Sequence, residues 1–145
     1  MRSRFFSIAA SAALFAFAVA PICRAAGRDI SGSLKSGTLE RTYHVHLPPQ
    51  YDGKRPVPLI LALHGGGGNG ERMGAQTGLT ALSDREGFIV VYPDGTGRLR
   101  DRLLTWNAWN CCGFAHSQNI DDVTFFRALL ADLEADYRID RRRIY

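Results

Sequence analysis

The residues best suited to do chemistry are the seven at positions 64–70, which are His-Gly-Gly-Gly-Gly-Asn-Gly and directly follow the apolar residues 59–63. Glycine has no Cβ, so such a loop can adopt unusual φ angles and bring its backbone N–H groups close to a bound group. N–H groups that converge in this way bind an anion. The anion is either a cofactor phosphate or the oxyanion that forms when a carbonyl is attacked, unless the loop is simply a flexible surface segment.

One interpretation is a dinucleotide-binding loop, because three of the glycines satisfy G-x-G-x-x-G, namely Gly65, Gly67 and Gly70. Asp94, after the next apolar segment, would then bind the ribose. Three features oppose this. Gly74 and Gly78 interrupt the region where the fingerprint requires a helix, two strand-like segments precede the loop, and a chain exported unfolded loads no cytoplasmic cofactor. A nicotinamide oxidoreductase is therefore the less favoured alternative.

The second interpretation is an oxyanion loop. A His-Gly-Gly-Gly sequence after an apolar strand is typical of this loop in an α/β-hydrolase. Its N–H groups are held in place before the reaction, so they stabilise the developing negative charge without reorganising. We therefore predict that His64, Gly65, Gly66 and Gly67 form an oxyanion loop, in which His64 braces the backbone rather than acting as a base.

The sequence contains no serine in the G-x-S-x-G setting that a nucleophile of this fold requires. Its eight serines are Ser3, Ser7, Ser11, Ser31, Ser33, Ser36, Ser83 and Ser117. The Asp and His of the triad would follow the serine along the chain, so they are absent as well. His116 and Ser117 are adjacent, but sequence neighbours do not by themselves make a nucleophile and base. We expect the chain alone to be inactive.

The elements around the loop predict an α/β fold. Strands are expected at residues 29–35, 40–47, 59–63 and 88–92, and a helix at residues 80–86. Residues 59–63 and 88–92 are apolar throughout, as central strands covered on both faces are. This order implies a parallel sheet with helices on both faces.

A longer helix follows, with Asn119 or Asp121 as its cap. Its apolar stripe at helical spacing consists of Ile120, Val123, Phe126, Leu129, Leu130, Leu133 and Tyr137. Ile144 and Tyr145 then begin another strand. A core strand that stops one step after it starts predicts the N-terminal part of a longer domain.

Four motifs carry a resemblance to a known family. They are residues 63–69 (Leu-His-Gly-Gly-Gly-Gly-Asn), residues 87–95 (Gly-Phe-Ile-Val-Val-Tyr-Pro-Asp-Gly), Trp106-Asn107 with Cys111-Cys112-Gly113, and residues 119–123 (Asn-Ile-Asp-Asp-Val) with Phe125. In this order they resemble the secreted polyhydroxybutyrate depolymerase and feruloyl esterase family over residues 43–145. The resemblance implies the N-terminal half of an α/β-hydrolase sheet, a Ser-Asp-His triad, and no metal or organic cofactor.

The resemblance also implies roles for particular residues. The N–H of Gly66 is one oxyanion donor, and the second comes from the residue after a nucleophile that lies past residue 145. One of Cys111 and Cys112 pairs with a cysteine past residue 145. The substrate is a polyester or a feruloylated polysaccharide. Trp106 and Trp109 are candidates to stack on sugar or phenolic rings, although both could equally pack their loop onto the domain. A non-catalytic carbohydrate-binding module is the alternative function.

Two further pairs of residues have the chemistry of metal ligands. His44 and His46 alternate on one strand face, but no third ligand is visible nearby, so packing or surface histidines are favoured. Asp121 and Asp122 could bind a cation, but helix capping explains them. We predict no metal site.

Residues 1–25 are typical of a secretory signal peptide, with a positive start, the uncharged residues 5–20, and small residues before a cleavage point at Ala26. A membrane anchor is disfavoured because the apolar run is shorter than the ~20 residues of a span. Lipid attachment at Cys23 is disfavoured because Ile22 stands where a small residue is needed. We expect residues 26–145 to be one domain in a secreted protein.

The net charge of +4 does not indicate a nucleic-acid partner. Arg2, Arg4 and Arg24 lie in the signal segment, and the rest of the chain has 15 Lys and Arg against 14 Asp and Glu. No basic run with interleaved aromatic residues occurs. We expect neither a nucleic-acid partner nor, after signal cleavage, a membrane partner.

Overall fold

The computed structural model describes residues 26–145, so the predicted signal at residues 1–25 lies outside the described residues. The strands are β1 (Arg28–Ser36), β2 (Leu39–Leu47), β3 (Val57–Leu61), β4 (Ile89–Pro93) and β5 (Ile139–Ile144). The helices are α1 (Gly70–Thr77), α2 (Leu79–Glu86), α3 (Gly113–Ser117) and α4 (Asp122–Asp136).

The strands form one sheet in the order β1-β2-β4-β3-β5. β1 and β2 are an antiparallel hairpin, β2 is antiparallel to β4, and β3 is parallel to both β4 and β5. The predicted α/β fold is confirmed, but the sheet is mixed rather than parallel, because β2 is antiparallel to both of its neighbours. The predicted start of the last strand at Ile144 is wrong, because β5 begins at Ile139 and ends at Ile144. Because β3 and β4 run in the same direction, the glycine loop after β3 and Asp94 after β4 leave the sheet at the same edge.

Helices cover both faces of this sheet, which is why β3 and β4 are apolar at every position. On one face, the core joins strand residues to α4, and its largest fully buried side chains include Phe125, Leu129, Leu133, Leu59 and Ile89. On the other face, Val90 and Tyr92 of β4 pack with Met73 of α1 and Leu82 of α2. Within residues 26–145, no helix is long and apolar enough to cross a membrane.

Helix α1 corrects one prediction, because it runs through Gly74, where the sequence predicted an interruption. Asn69 caps the helix by accepting a hydrogen bond from the Arg72 N–H at 2.9 Å, and Gly78 ends it with φ +67°. A Cβ at position 74 would lie 3.4 Å from the Tyr92 ring. This is an ordinary packing distance, so a methyl group would also fit there. The Asn69 cap and the packing of Met73 against the core offset the low helix propensity of glycine.

Helix α4 is present as predicted and is capped by Asp121, but its buried face differs from the predicted stripe. Phe125 is fully buried, whereas Val123 is 60% exposed. The buried residues are Asp122, Phe125, Leu129 and Leu133. Leu129 and Leu133 are buried as predicted, and Phe126, Leu130 and Tyr137 of the predicted stripe are partly buried against the same core. Asp122, the first residue of the helix, points inward and pairs with buried Arg41. The next position along a helix is rotated by about 100°, so Val123 faces outward.

Candidate oxyanion loop

The glycine loop connects β3 to α1 and is fixed along its second half by backbone hydrogen bonds. The Gly67 N–H donates to the Leu104 carbonyl at 2.8 Å, and the Leu104 N–H donates back to the Gly68 carbonyl at 3.3 Å. The Gly68 N–H donates to the Gly65 carbonyl at 3.0 Å, which closes a tight turn. Gly67 has φ +82°, a conformation that favours glycine. The loop is therefore held against the segment that contains Leu104.

The first half of the loop leaves its N–H groups available. Gly65 and Gly66 are exposed, and among residues 26–145 neither N–H has a hydrogen-bond acceptor. A Cβ built on Gly66 would meet nothing within 4 Å. The N–H of Gly66, the donor implied by the family resemblance, thus stands in open space next to a fixed turn. This combination is what an oxyanion donor requires, because the donor must be free and must not move.

His64 is buried and uses both ring nitrogens within the protein. Its Nε2 accepts a hydrogen bond from the Gly95 N–H at 3.0 Å. Nε2 therefore carries no hydrogen, and the Nδ1–H donates to the Gly65 carbonyl at 2.8 Å. A histidine whose two nitrogens are occupied in this way has no nitrogen for a nucleophile. Its position ties the start of the glycine loop to the residue after Asp94.

Trp106 supports His64 from the other side. Its indole N–H donates to the His64 carbonyl at 2.9 Å, and its ring centroid lies 5.0 Å from His64 and 5.3 Å from Phe126. Trp109, three residues later, is 92% exposed with φ +60°. The structure places Trp106 in the packing beneath the loop and Trp109 in solvent. The predicted contact of either ring with a substrate stays a prediction.

A buried ion pair between Arg41 and Asp122 connects the segments that surround the glycine loop. The Arg41 guanidinium is 2.9 Å from the Asp122 carboxylate and donates to the Asp94 carbonyl at 3.0 Å. The other Asp122 oxygen accepts from the Asn107 N–H at 2.7 Å, and the Asn107 side chain donates to the Ile120 carbonyl. Burial lowers the pKa of Arg41 more than the attraction of Asp122 raises it. The sequence does not single out Arg41, because a lone arginine in a strand carries no signal of its distant partner.

Asp94 holds the glycine loop to the sheet rather than facing a cofactor. One carboxylate oxygen accepts from the Gly70 N–H at 2.7 Å, at the start of α1, and the other accepts from the Thr42 hydroxyl at 2.6 Å. Burial acts to raise the pKa of Asp94, but the interactions with His44, Thr42 and Gly70 outweigh it, so the pKa lies below its ordinary value. A carboxylate engaged in this way is not arranged to bind a ribose.

The other candidate ligands have protein partners. His44 lies beside Ser31 and Asp94, and His46 lies between two carboxylates, those of Asp29 and Asp84. Within residues 26–145, no group of three or more His, Cys, Asp or Glu side chains is arranged to hold a metal ion.

Asp121 and Asp122 have different contacts. Asp121 caps α4 through Thr124, and Asp122 pairs with Arg41. Cys111 and Cys112 lie side by side with their sulfur atoms in contact. The predicted pairing of one of them with a cysteine past residue 145 stays a prediction.

Known proteins match most of this chain in sequence, including the glycine loop and α4. The family model described as Esterase PHB depolymerase matches residues 41–145. The chain is 30% identical over 106 residues to a bifunctional acetylxylan esterase/xylanase of Neocallimastix patriciarum. It is 32% identical over 103 residues to feruloyl esterase B of Piromyces equi. These matches cover 72% and 70% of this chain, but the chain spans only 13% and 18% of the two relatives.

Structural comparison gives the same fold. A ferulic acid esterase superposes with a TM-score of 0.61 at 19% identity, over 82% of this chain and 48% of that chain. The ferulic acid esterase of Anaeromyces mucronatus superposes with a TM-score of 0.58 at 16% identity, over 87% of this chain and 50% of that chain. The predicted fold, the N-terminal part of an α/β-hydrolase sheet, is confirmed. The chain spans about half the length of these solved structures.

Proposed function

Since this chain belongs to the esterase PHB depolymerase family, we propose that it forms the oxyanion-loop part of an exported serine carboxylic-ester hydrolase. The observation that carries the proposal is the Gly66 N–H, which is exposed and without an acceptor among the described residues. It stands beside a turn that Leu104 and His64 hold in place. This geometry supports stabilisation of an anion rather than binding of a nucleotide, because Asp94 is already engaged by Gly70 and Thr42.

In the proposed reaction, a serine outside these 145 residues attacks the ester carbonyl. The carbonyl oxygen becomes negatively charged, and the Gly66 N–H donates a hydrogen bond to it. The alcohol leaves, and water then releases the acyl group from the serine. One such donor contributes a factor of about 10² to 10³ to the rate. The role of His64 and Trp106 in this scheme is to keep Gly66 in position.

We propose an ester on a polymer as the substrate. The names of two relatives, an acetylxylan esterase and a feruloyl esterase, favour an acylated polysaccharide, and the family description favours a hydroxyalkanoate polyester. The 92% exposed ring of Trp109 supports contact with a sugar or phenolic ring. The proposal includes secretion through residues 1–25 and no metal or organic cofactor.

The substrate assay uses the complete gene product on acetylated xylan, on feruloylated arabinoxylan and on polyhydroxybutyrate films. Release of acetate, ferulate or hydroxybutyrate identifies the polymer. The variant Trp109→Ala should raise KM on the preferred polymer while leaving hydrolysis of a small ester such as ethyl ferulate unchanged. Failure to release any acid from all three polymers would contradict the proposal.

The isolated 145-residue chain tests the need for an external nucleophile. It has no G-x-S-x-G serine, so we expect no turnover of an unactivated alkyl ester such as ethyl ferulate. The matched controls are the His64→Ala variant of the same chain and a blank. Turnover by the isolated chain above both controls would show that the nucleophile lies within these residues.

A second candidate function is a non-catalytic carbohydrate-binding module, which the exposed Trp109 ring favours. Retention of the complete protein on insoluble xylan, without release of acid from any ester, would support it. Loss of retention in Trp109→Ala would then identify the ring as the contact.

A further inference from the structure

A second group of residues with hydrolase chemistry lies on β1 and β2, apart from the oxyanion loop. Ser31 and His44 are directly paired across the hairpin, and the Ser31 hydroxyl oxygen is 3.1 Å from His44 Nδ1. The other ring nitrogen, Nε2, is 3.6 Å from an Asp94 carboxylate oxygen. A hydroxyl on one nitrogen and a carboxylate near the other is the arrangement by which a histidine activates a serine.

Burial increases from the serine to the histidine to the aspartate, as a site of this kind requires. Ser31 is exposed, the His44 side chain is 36% exposed, and the Asp94 side chain is 11% exposed. Asp94 is fixed from behind by the Thr42 hydroxyl and the Gly70 N–H. The carboxylate can therefore orient the imidazole while the serine meets solvent.

Ser31 and His44 open onto a cavity between the β1–β2 hairpin and α1. The cavity has a volume of about 610 Å³, and its walls include Val45, Gly74, Ala75, Thr80 and Tyr92. Two carboxylates, Asp29 and Glu71, also line it. An aromatic acyl or aryl group fits this volume and finds an apolar wall on Tyr92.

We propose that Ser31 is a nucleophile, activated by His44 as general base, that reacts with activated aryl esters and with organophosphorus electrophiles in this cavity. With an aryl ester, the Ser31 oxygen bonds to the carbonyl carbon and its proton passes to His44 Nδ1. The bond to the phenol oxygen breaks, and His44 returns the proton to that oxygen. The product is an O-acyl serine. Asp94 is a positioning residue, since it acts through His44.

The site favours activated electrophiles for a structural reason. The Gly70 N–H lies at the cavity wall, but it already donates to Asp94 at 2.7 Å. It therefore does not serve as an oxyanion donor, and a good leaving group must supply part of the driving force. Unactivated alkyl esters should not react at Ser31. The reacting groups are distinct from those of the proposed polymer esterase, because Gly66 and His64 lie outside this cavity. Asp94 is the one residue that both arrangements share, so the variants of the test are placed at Ser31, Ser33 and His44 and not at Asp94.

The test treats the purified protein with an alkyl fluorophosphonate and locates the adduct by tandem mass spectrometry. The Ser31 oxygen displaces fluoride from phosphorus, so the modified peptide identifies the nucleophile whatever other serines react. We expect an adduct on Ser31 and none on that peptide in Ser31→Ala. Ser33→Ala is the matched control, because Ser33 is exposed on the same strand face but bonds to Glu40 instead of a histidine. Labelling at Ser31 should be unchanged in Ser33→Ala.

Loss of the base should slow the reaction strongly. His44→Gln should lower the rate of Ser31 labelling by roughly 100-fold or more, which is the range for a general base. Equal labelling of Ser31 and Ser33, absence of an adduct on Ser31, or labelling that is indifferent to His44→Gln would each overturn the proposal. Hydrolysis of polymer esters is measured in the same samples and reports separately on the proposed function.

The pH profile of wild-type labelling tests the base without a variant. The interaction with Asp94 raises the pKa of His44 above its ordinary value of 6.5 against the opposing effect of burial, and the carboxylates of Glu71 and Asp29 add to the rise. Only the neutral imidazole accepts the serine proton. The labelling rate should therefore increase with pH and level off above this raised pKa. A rate that is flat between pH 6 and 9 would contradict the assignment of His44.

Discussion

The Arg41–Asp122 ion pair allows a direct test of how much a buried contact between β2 and α4 contributes to the stability of the fold. Arg41 is 98% buried and Asp122 is 94% buried, and their charged groups are 2.9 Å apart. The substitution Asp122→Asn keeps the size of the side chain and removes its charge. It removes the nearest counter-charge of the buried guanidinium, and it places an amide where the Asn107 N–H now donates at 2.7 Å.

The expected cost follows from this burial. Removing one partner of a buried ion pair costs about 3–5 kcal/mol, because the remaining charge stays out of water. That is a large part of the 5–15 kcal/mol by which domains are typically stable. The adjacent Asp121 is the matched control, since it is exposed and caps α4 through the Thr124 N–H at 2.9 Å. Asparagine caps helices about as well as aspartate, so Asp121→Asn should be far less destabilising than Asp122→Asn.

Equilibrium unfolding in urea measures both substitutions in the same protein background. A third variant, Arg41→Met with Asp122→Leu, removes both charges and should be less destabilised than Asp122→Asn. The reasoning is refuted if Asp122→Asn costs no more than Asp121→Asn. It is also refuted if the double substitution is more destabilising than the single one.

Three further predictions concern the loop and the hairpin. Trp106→Phe removes the indole N–H that braces the loop and should cost about 1–3 kcal/mol in urea unfolding, whereas Trp109→Phe should stay within about 0.5 kcal/mol. Gly67→Ala should cost about 1–2 kcal/mol, because φ +82° is strained for alanine, and it should lower ester turnover. The raised pKa of His44 contributes stability below pH 6.5 that is lost as the pH rises through that pKa. The lowered pKa of Asp94 contributes stability that is fully present above pH 3.8 and is lost as the pH falls through that lowered pKa. The melting temperature of wild type should therefore exceed that of His44→Gln most clearly in mildly acidic solution and less above pH 8.

Local patterns were sufficient to predict much of this fold. Alternation in β2 and unbroken apolar runs in β3 and β4 placed the sheet, and the position of the glycine loop after β3 indicated its chemistry. The same patterns failed where a distant contact decides the outcome. Gly74 lies inside α1, which is supported by the Asn69 cap and by the packing of Met73 against the core that includes Tyr92.

The candidate site shows the same limit. The sequence indicated His64 and Gly66 through their order in a motif, whereas Arg41 and Asp94 were not identified as supports of the loop. Arg41 meets Asp122 across 81 positions of the chain, and Asp94 meets Gly70 at the start of α1. Side-chain contacts of this kind depend on how strands and helices pack against each other. The hydrophobic periodicity of the sequence does not predict that packing.

The central claim is that the Gly66 N–H stabilises an oxyanion, and a pair of substitutions at this position tests it directly. Gly66→Ala keeps the N–H, and its Cβ meets nothing within 4 Å, whereas Gly66→Pro removes the N–H. With both variants shown to be folded by urea unfolding, kcat for ethyl ferulate is measured in the complete protein. The account predicts that kcat falls by about 10² to 10³ in Gly66→Pro and changes by no more than a few-fold in Gly66→Ala. Equal turnover by the two folded variants would contradict it.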